Sequence, residues 1–383
     1  MASGFSEPLQ QAGKTFVRWR GRKLVYFGGC DYLRLSFHPA VLRAFNSTGS
    51  RFGLTVAASR RTTGNHLLYE QVEDAARRFF SVERAILVSN GYLTNIIAAQ
   101  GLQGAFDRVF IDARAHSSLR DAASFLDCPK TEFAHRGPAD LQEKIRATRP
   151  RGSIAVLTDG MFAQDGSVAP LAAYRKVAGS KATLWVDDAH AAGILGQQGG
   201  GSVELTGIGR RNVIQTITFS KAFGAYGGAI LCDQPLARRI VSQSTALAGG
   251  TPLPLPLVAA VLAALKAHRK EPGHRKKLRR NLELFWNEIG LKPEVLVPII
   301  SVTAKDSAAL NRALLKAAIY PCFIDYGGGP FSPYFRFAIS SEHTAEQIKK
   351  LARTLAASRK ARERAGAPLA RKKSDLLFLG VDV

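Results

Sequence analysis

The sequence predicts an α/β protein: a large domain whose mostly parallel sheet is flanked by helices, with a smaller α+β domain toward the C-terminus. Three observations carry this. Short apolar runs alternate with segments of helical periodicity from about residue 85 to about residue 219. Those runs are apolar at successive positions, as strands buried on two faces must be. After about residue 236 the pattern gives way to a long helical stretch, a basic run, and then mixed strand and helix pieces.

Residues 1–45 read as an arm with two strand-like pieces, TFVRW and KLVYF, around the turn Arg20-Gly21-Arg22, followed by CDYLRLSFHP and a first helix. Leu67, Leu68, Val72, Ala75, Ala76, Phe79 and Phe80 then recur at helical spacing with Glu70, Glu73 and Asp74 between them, the pattern of an amphipathic helix. AILVS (85–89) reads as a strand, GYLTNIIAAQGL as a helix, RVFID (108–112) as a strand and HSSLRDAASFL as a helix. SIAVLTD (153–159), TLWVDD (183–188) and VIQTITF (213–219) continue the strands, with LAAYRKVAGS as a helix between the first two. PLPLVAAVLAAL (254–265) is a buried helix, and VLVPIISVTA and FRFAISSEHTAEQIKKLARTL supply strands and a helix of the smaller domain. The division is therefore an arm at 1–45, a large domain at 46–235, a small domain at 236–357 and a basic tail at 358–383.

With 383 residues, 46% hydrophobic and 22% charged, the chain has ordinary globular composition and enough length for a sizeable core. Cys30, Cys128, Cys232 and Cys322 show no paired short spacing, which argues against a disulfide framework or a zinc site and for a reducing compartment. The start MASGFSEPLQ lacks the basic and apolar regions of a signal peptide, and no apolar run approaches the roughly 20 residues of a membrane span, so a cytoplasmic location is expected. The formal charge of +23 would attract polyanions. Its two densest clusters, at 266–280 and 358–377, are not interleaved with aromatic residues, so they read as solvated faces and a loose tail rather than as a nucleic-acid surface.

The unusual chemistry lies at strand ends. TLWVDD ends in Val186-Asp187-Asp188-Ala189-His190, and VIQTITF runs into Thr218, Ser220 and Lys221. Strands of a parallel sheet present their carboxyl ends at one edge, so a carboxylate, an imidazole and an amine converge there. Pyridoxal phosphate needs such a set: its aldehyde condenses with a lysine, and a carboxylate keeps its ring nitrogen protonated. The apolar residues around Lys221 suit that role, since desolvation makes an amine more nucleophilic. Ser89-Asn90-Gly91-Tyr92-Leu93-Thr94 lies where a strand turns into a helix, so its backbone amides could cradle a phosphate, with Thr218 and Ser220 adding hydroxyls. Neither a Walker pattern nor a dinucleotide fingerprint follows a strand, which disfavours ATP and NAD.

These residues fall in blocks that resemble the α-oxoamine synthases, pyridoxal-phosphate enzymes that condense an amino acid with an acyl-CoA. VDDAHAAGILGQQGGG resembles that family's VDDAHxxGxxGxxGxG, and TFSKAFGAYGG its TFxKxxGxxGG. DYLRLSFHP, SNGYLTN, AHSSLRDAAS, DGSVAPL and FRFAISSEHT fall in the family's order, so the resemblance covers about residues 28–355. It implies a fold-type I pyridoxal-phosphate transferase acting as a homodimer on a small amino acid and an acyl-CoA, with decarboxylation to an aminoketone. By position, Lys221 would hold the cofactor and move the α-proton, Asp187 would pair with the ring nitrogen, His190 would bond the ring hydroxyl and His116 would stack on the ring. Gly91, Tyr92 and Thr218 would hold the phosphate, beside the Ser89, Asn90 and Ser220 already read from the two turns; Thr251 would reach it across a dimer interface, and Arg336 would grip the substrate carboxylate.

Structural alternatives stand beside these roles: His116 as a helix cap, Asp187 and His190 as caps, and Arg336 as a surface charge. The chain also departs from the family. Thr55–Arg60 replaces GSGGSR, Tyr69 a histidine, Asp159 and Ala163 a glutamate and a serine, and Cys30 an asparagine. Two other functions stay open: an aminotransferase or other amino-acid-processing enzyme on the same fold, and a basic nucleic-acid-binding or regulatory protein built on it.

Overall fold

The computed structural model describes residues 6–304, 306–325, 333–360 and 376–379. They fall into two compact units, one made of residues 35–163 and 168–272, the other of 1–34, 164–167 and 273–383. The chain opens in the second of these with β1 (Gln10–Gln11), β2 (Phe16–Trp19) and β3 (Arg22–Val25), an antiparallel sheet. Arg20 and Gly21 both take positive φ, 47° and 73°, which is the tight-turn geometry whose twist matches that of the flanking strands.

The larger unit contains α1 (Pro39–Phe52), α2 (Leu67–Phe80), β4 (Arg84–Val88), α3 (Gly91–Gly101), β5 (Arg108–Asp112), α4 (Ser117–Ala123), β6 (Lys130–Phe133), α5 (Pro138–Thr148), β7 (Ile154–Asp159), α6 (Leu171–Ala178), β8 (Thr183–Asp187), α7 (Ser202–Thr206), β9 (Val213–Thr218), β10 (Gly228–Cys232), α8 (Gln234–Gln243), α9 (Thr245–Gly249) and α10 (Leu255–Lys270). Its seven-stranded sheet runs β4-β10-β9-β8-β7-β5-β6. Only β10 is antiparallel to its neighbours. The other six strands therefore end at one edge.

Both faces of the sheet are covered. Ile111, Leu157, Trp185 and Ile214 pack on one side, in a cluster with Ile97 and Ala98 of α3 and Leu119 of α4. Phe110, Val156, Leu184 and Val213, each one residue away, pack on the other with Leu141 of α5 and Tyr174 of α6. The period of two thus sends adjacent residues to opposite cores, which is why the strands read as unbroken apolar runs.

The division differs from the one expected near residue 236. Helix α10 packs against both α1 and α2, burying Val258, Val261, Ala264 and Leu265, so the larger unit extends to residue 272. The first residues are likewise not a separate arm. Val25 exchanges backbone hydrogen bonds with Ala318 and Tyr320, which ties them to the C-terminal unit.

That unit continues with α11 (Gly273–Ile289), β11 (Ile299–Ala304), α12 (Ser307–Lys316), β12 (Phe323–Ile324), β13 (Tyr334–Ala338), α13 (Ala345–Lys360) and β14 (Leu376–Leu379). Its antiparallel sheet runs β12-β13-β11-β14. Lys276, Lys277, Arg279 and Arg280 are exposed on α11 while Leu278, Leu282, Phe285 and Trp286 are buried, so the basic run is one solvated helix face. Much of the basic tail lies outside the described residues, but Leu376–Leu379 pairs with β11 as an edge strand. Among the described residues no helix is long and apolar enough to cross a membrane.

Candidate active site

The parallel strands deliver their following residues to one edge, and a cavity of about 330 Å³ opens there within the larger unit. Asp187 ends β8 and projects into it. Its Oδ1 accepts the Ala189 backbone N–H at 3.0 Å, and its Oδ2 accepts the Asn95 side-chain amide at 2.6 Å and the Ser118 hydroxyl at 3.4 Å. Asn95 is wholly buried on α3. Its Nδ2 also donates to Ser118 Oγ at 3.0 Å, and its Oδ1 accepts Trp185 Nε1 and Thr216 Oγ1, both at 2.9 Å. Every hydrogen-bonding site of that amide is used, so the orientation of Asp187 is fixed from behind.

His116 caps α4, its Nδ1 accepting the Ser118 N–H at 3.2 Å, and the same ring lines the cavity. Capping the helix therefore does not keep the ring out of the cavity. Burial, and then Lys221, push the His116 imidazole below its ordinary range, with Asp187 opposing. Lys221 follows β9 and lines the cavity half-buried, with Phe219, Ala222 and Phe223 buried behind it. Its apolar setting lies on the protein side, while the cavity side carries Asp187, Asp159 and His190.

The turn from β4 into α3 forms the candidate anion seat. Asn90 caps the helix, its Oδ1 accepting the Leu93 N–H at 3.0 Å, and the Gly91 and Tyr92 amides lie in the first turn, where the helix dipole is positive. A Cβ on Gly91 would stand 2.7 Å from Thr218 Cβ, so only glycine allows this turn so close to β9. Thr218 Oγ1 and Ser220 Oγ lie 2.7 Å apart on the facing loop. Helix terminus and hydroxyls thus face the same cavity.

Not every expected residue joins them. Ser89 and Thr251 line a separate cavity of about 70 Å³ with Arg60, Tyr69 and Leu253. Arg336 stands on β13 in the other unit, paired in register with Ser301. Sequence reading had no role for Asn95, Ser118, Met161 and Tyr226, which line the cavity or brace Asp187. The one available signal was a polar Asn95 inside the apolar helix GYLTNIIAAQG, whose partners are distant in the chain.

Two departures have a backbone consequence. Arg34, in DYLRLSFHP where the family block reads DYLGLSxHP, stands in place of a glycine, and Ala57 lies in the segment that replaces GSGGSR; both take positive φ, 53° and 49°, a conformation glycine adopts more readily. Tyr69 settles into a replacement contact, its hydroxyl donating to the Leu253 carbonyl at 2.8 Å under the Arg60 guanidinium.

The family model for aminotransferase class I and II matches residues 25–355. The chain is 30% identical to the 8-amino-7-oxononanoate synthase of Thioalkalivibrio sulfidiphilus, covering 90% of this chain and 91% of that protein. Against the enzyme of the same name from Yersinia enterocolitica the identity is 31%, again over 90% and 91%. Among solved structures, a serine palmitoyltransferase from S. paucimobilis with bound PLP and myriocin superposes with a TM-score of 0.84 at 25% identity, over 92% of this chain and 91% of that one. The 8-amino-7-oxononanoate synthase of Francisella tularensis shares the fold with a TM-score of 0.76 at 24% identity, over 89% and 99%.

Proposed function

Because the chain belongs to the class I and II aminotransferase family, and within it to the α-oxoamine synthases, we propose that it is a pyridoxal-phosphate-dependent acyltransferase of the 8-amino-7-oxononanoate synthase kind. It condenses a small amino acid, alanine, glycine or serine, with an acyl-CoA, and loses carbon dioxide to leave an aminoketone. The observation that carries this reading is the convergence of Lys221, Asp187, His116 and His190 on one cavity beside a helix N-terminus.

The residues fit the cofactor. The close approach at Gly91 leaves a seat of amides and hydroxyls suited to a phosphate, and the carboxylate and amine have the complementary chemistry for a pyridine nitrogen and an aldehyde. When bound, pyridoxal phosphate supplies an aldehyde that condenses with amines and a ring that accepts electron density. Asp187 would hold the proton of the ring nitrogen, braced by Asn95. Lys221 Nζ would anchor the cofactor and then take the α-proton of the amino acid. His116 would cover the ring face and His190 would bond the ring hydroxyl. The Asn90, Gly91 and Tyr92 turn, with Thr218 and Ser220, would hold the phosphate, with Ser89 preceding the turn; Thr251 would reach it across a dimer interface. Arg336 would grip a substrate carboxylate, a task its planar guanidinium suits.

A homodimer in the cytoplasm completes the proposal. Leu42, Phe45 and Phe52 recur along α1 yet are exposed, at 47%, 38% and 40%, an apolar stripe a second copy would cover. The positive surface would draw in the phosphates of CoA.

The test is the visible absorption of the purified protein and of Lys221→Ala, then thiol release from short and long acyl-CoA thioesters with glycine, alanine and serine. A cofactor band that depends on Lys221, with thiol release for one pair, supports the synthase. A band without thiol release, and with amino-group exchange to a keto acid, replaces it with an aminotransferase.

A further inference from the structure

Asp159 has no role in the assignment above. It closes β7 in register with Asp187 on the adjacent parallel strand, so two carboxyl groups stand side by side at the sheet edge. Their surroundings differ. Asp187 accepts from Ala189, Asn95 and Ser118. Asp159 accepts only the His116 backbone N–H, at 2.9 Å through Oδ1; among the described residues nothing donates to its Oδ2, although the side chain is 5% exposed and lines the cavity. Neighbouring carboxyls in a sheltered site do not both ionise readily, and the proton stays on the one with fewer donors.

We propose that Asp159 is the neutral acid of this carboxyl pair, positioning His116 through one oxygen and offering a hydrogen bond from the other to an acceptor oxygen in the cavity.

The remaining charged groups around it support this. Asp112, at the end of β5, is held by His135, and Asp188, beside Asp187, is held by Ser202 and Gln215. Of the groups that act on Asp159, Lys221 carries the opposing positive charge, while His116 is held toward its neutral form. Burial and then Asp187 hold the Asp159 carboxyl well above the usual carboxylate range, outweighing the His116 hydrogen bond and Lys221. An aspartate here is one methylene shorter than the glutamate of the family motif, so the acid sits at the cavity wall, close to the strand end.

The donor role rests on the synthase reading; the protonation does not, and the test separates them. The full chain, as purified and after cofactor removal, is melted from pH 4 to pH 9 as wild type, Asp159→Asn and Asp159→Glu. A raised folded-state pKa means the folded protein keeps a proton that the unfolded chain has released, so stability falls as pH rises from the unfolded pKa toward the folded one. Wild-type Tm is expected to fall against Asp159→Asn by roughly 1–2 °C per pH unit in that window. Asp159→Glu, which still titrates, keeps the wild-type slope. A Tm difference that stays flat above pH 5 overturns the proposal. In thiol release, Asp159→Asn keeps kcat/KM within about threefold, since an amide also donates, whereas Asp159→Ala loses on the order of 100-fold. Equal losses in both variants overturn the donor role. Absence of thiol release in the wild type, with the Tm slope intact, rejects the synthase reading alone.

Discussion

Replacing Asn95 by alanine removes a buried side chain that does not line the cavity but holds Asp187 in place. Four hydrogen bonds go with it: the 2.6 Å bond to the Asp187 carboxylate, the 3.0 Å bond to Ser118, and two at 2.9 Å from Trp185 and Thr216. The bond to a charged group is worth roughly 1.5–3 kcal/mol, and leaving a buried donor such as the Trp185 indole unpaired costs roughly 1–3 kcal/mol. Ser118 still has His116 and Asp187, and the Thr216 hydroxyl can rotate, so little is added for them. The expected loss is about 2.5–6 kcal/mol, a large part of the roughly 5–15 kcal/mol that holds a folded protein together. It is read as a fall in urea midpoint at unchanged slope. Cofactor affinity, followed by absorbance titration, is expected to drop at least about tenfold because Asp187 gains freedom to rotate. An Asn95→Ala protein with wild-type midpoint and affinity would refute the reasoning that this network orients the carboxylate.

Gly91→Ala places a methyl 2.7 Å from Thr218 Cβ, against about 3.4 Å for ordinary contact, so the loop carrying Ser220 and Lys221 must shift. Cofactor affinity is expected to fall by roughly 1–3 kcal/mol in the same titration, with a smaller change in urea midpoint because alanine favours the helix. In the C-terminal unit, burial and then Arg34 push His343 down to about 3, where it stacks on Phe27 at 4.1 Å and donates to the Tyr26 carbonyl. Below the unfolded value near 6.5 only the unfolded chain binds a proton, so stability is full above that pH and falls as pH drops toward 3. Between pH 6.5 and pH 4.5 the wild type is expected to lose about 2–3 kcal/mol more than His343→Gln in urea unfolding; equal losses would remove His343 as the cause.

Much of the large unit was legible because its strands are buried on both faces and announce themselves as apolar runs. RVFID is β5 residue for residue, and the helix expected from about residue 66 is α2. Less visible were β6, whose residues KTEF are mostly exposed or half-buried, and β10, whose GAILC follows the lysine loop without a helix because it runs antiparallel. The misplaced boundary has a similar origin. Helix α10 is apolar on several sides, and nothing local to it shows that its partners are α1 and α2, some two hundred residues earlier in the chain.

The candidate site divides along the same line. The sequence by itself determined which strand ends carry the amine, the carboxylate and the imidazoles, because a parallel sheet brings its carboxyl ends to one edge whatever the details of packing. The side chains that make those groups usable were decided only by the tertiary structure. Asn95 and Asp187 are 92 positions apart, and Asp159 and Asp187 become a pair only through the register of two strands joined by a crossover helix. Hydrogen bonds and charge coupling act over a few ångströms of space, and chain separation carries no information about that distance until the sheet has formed.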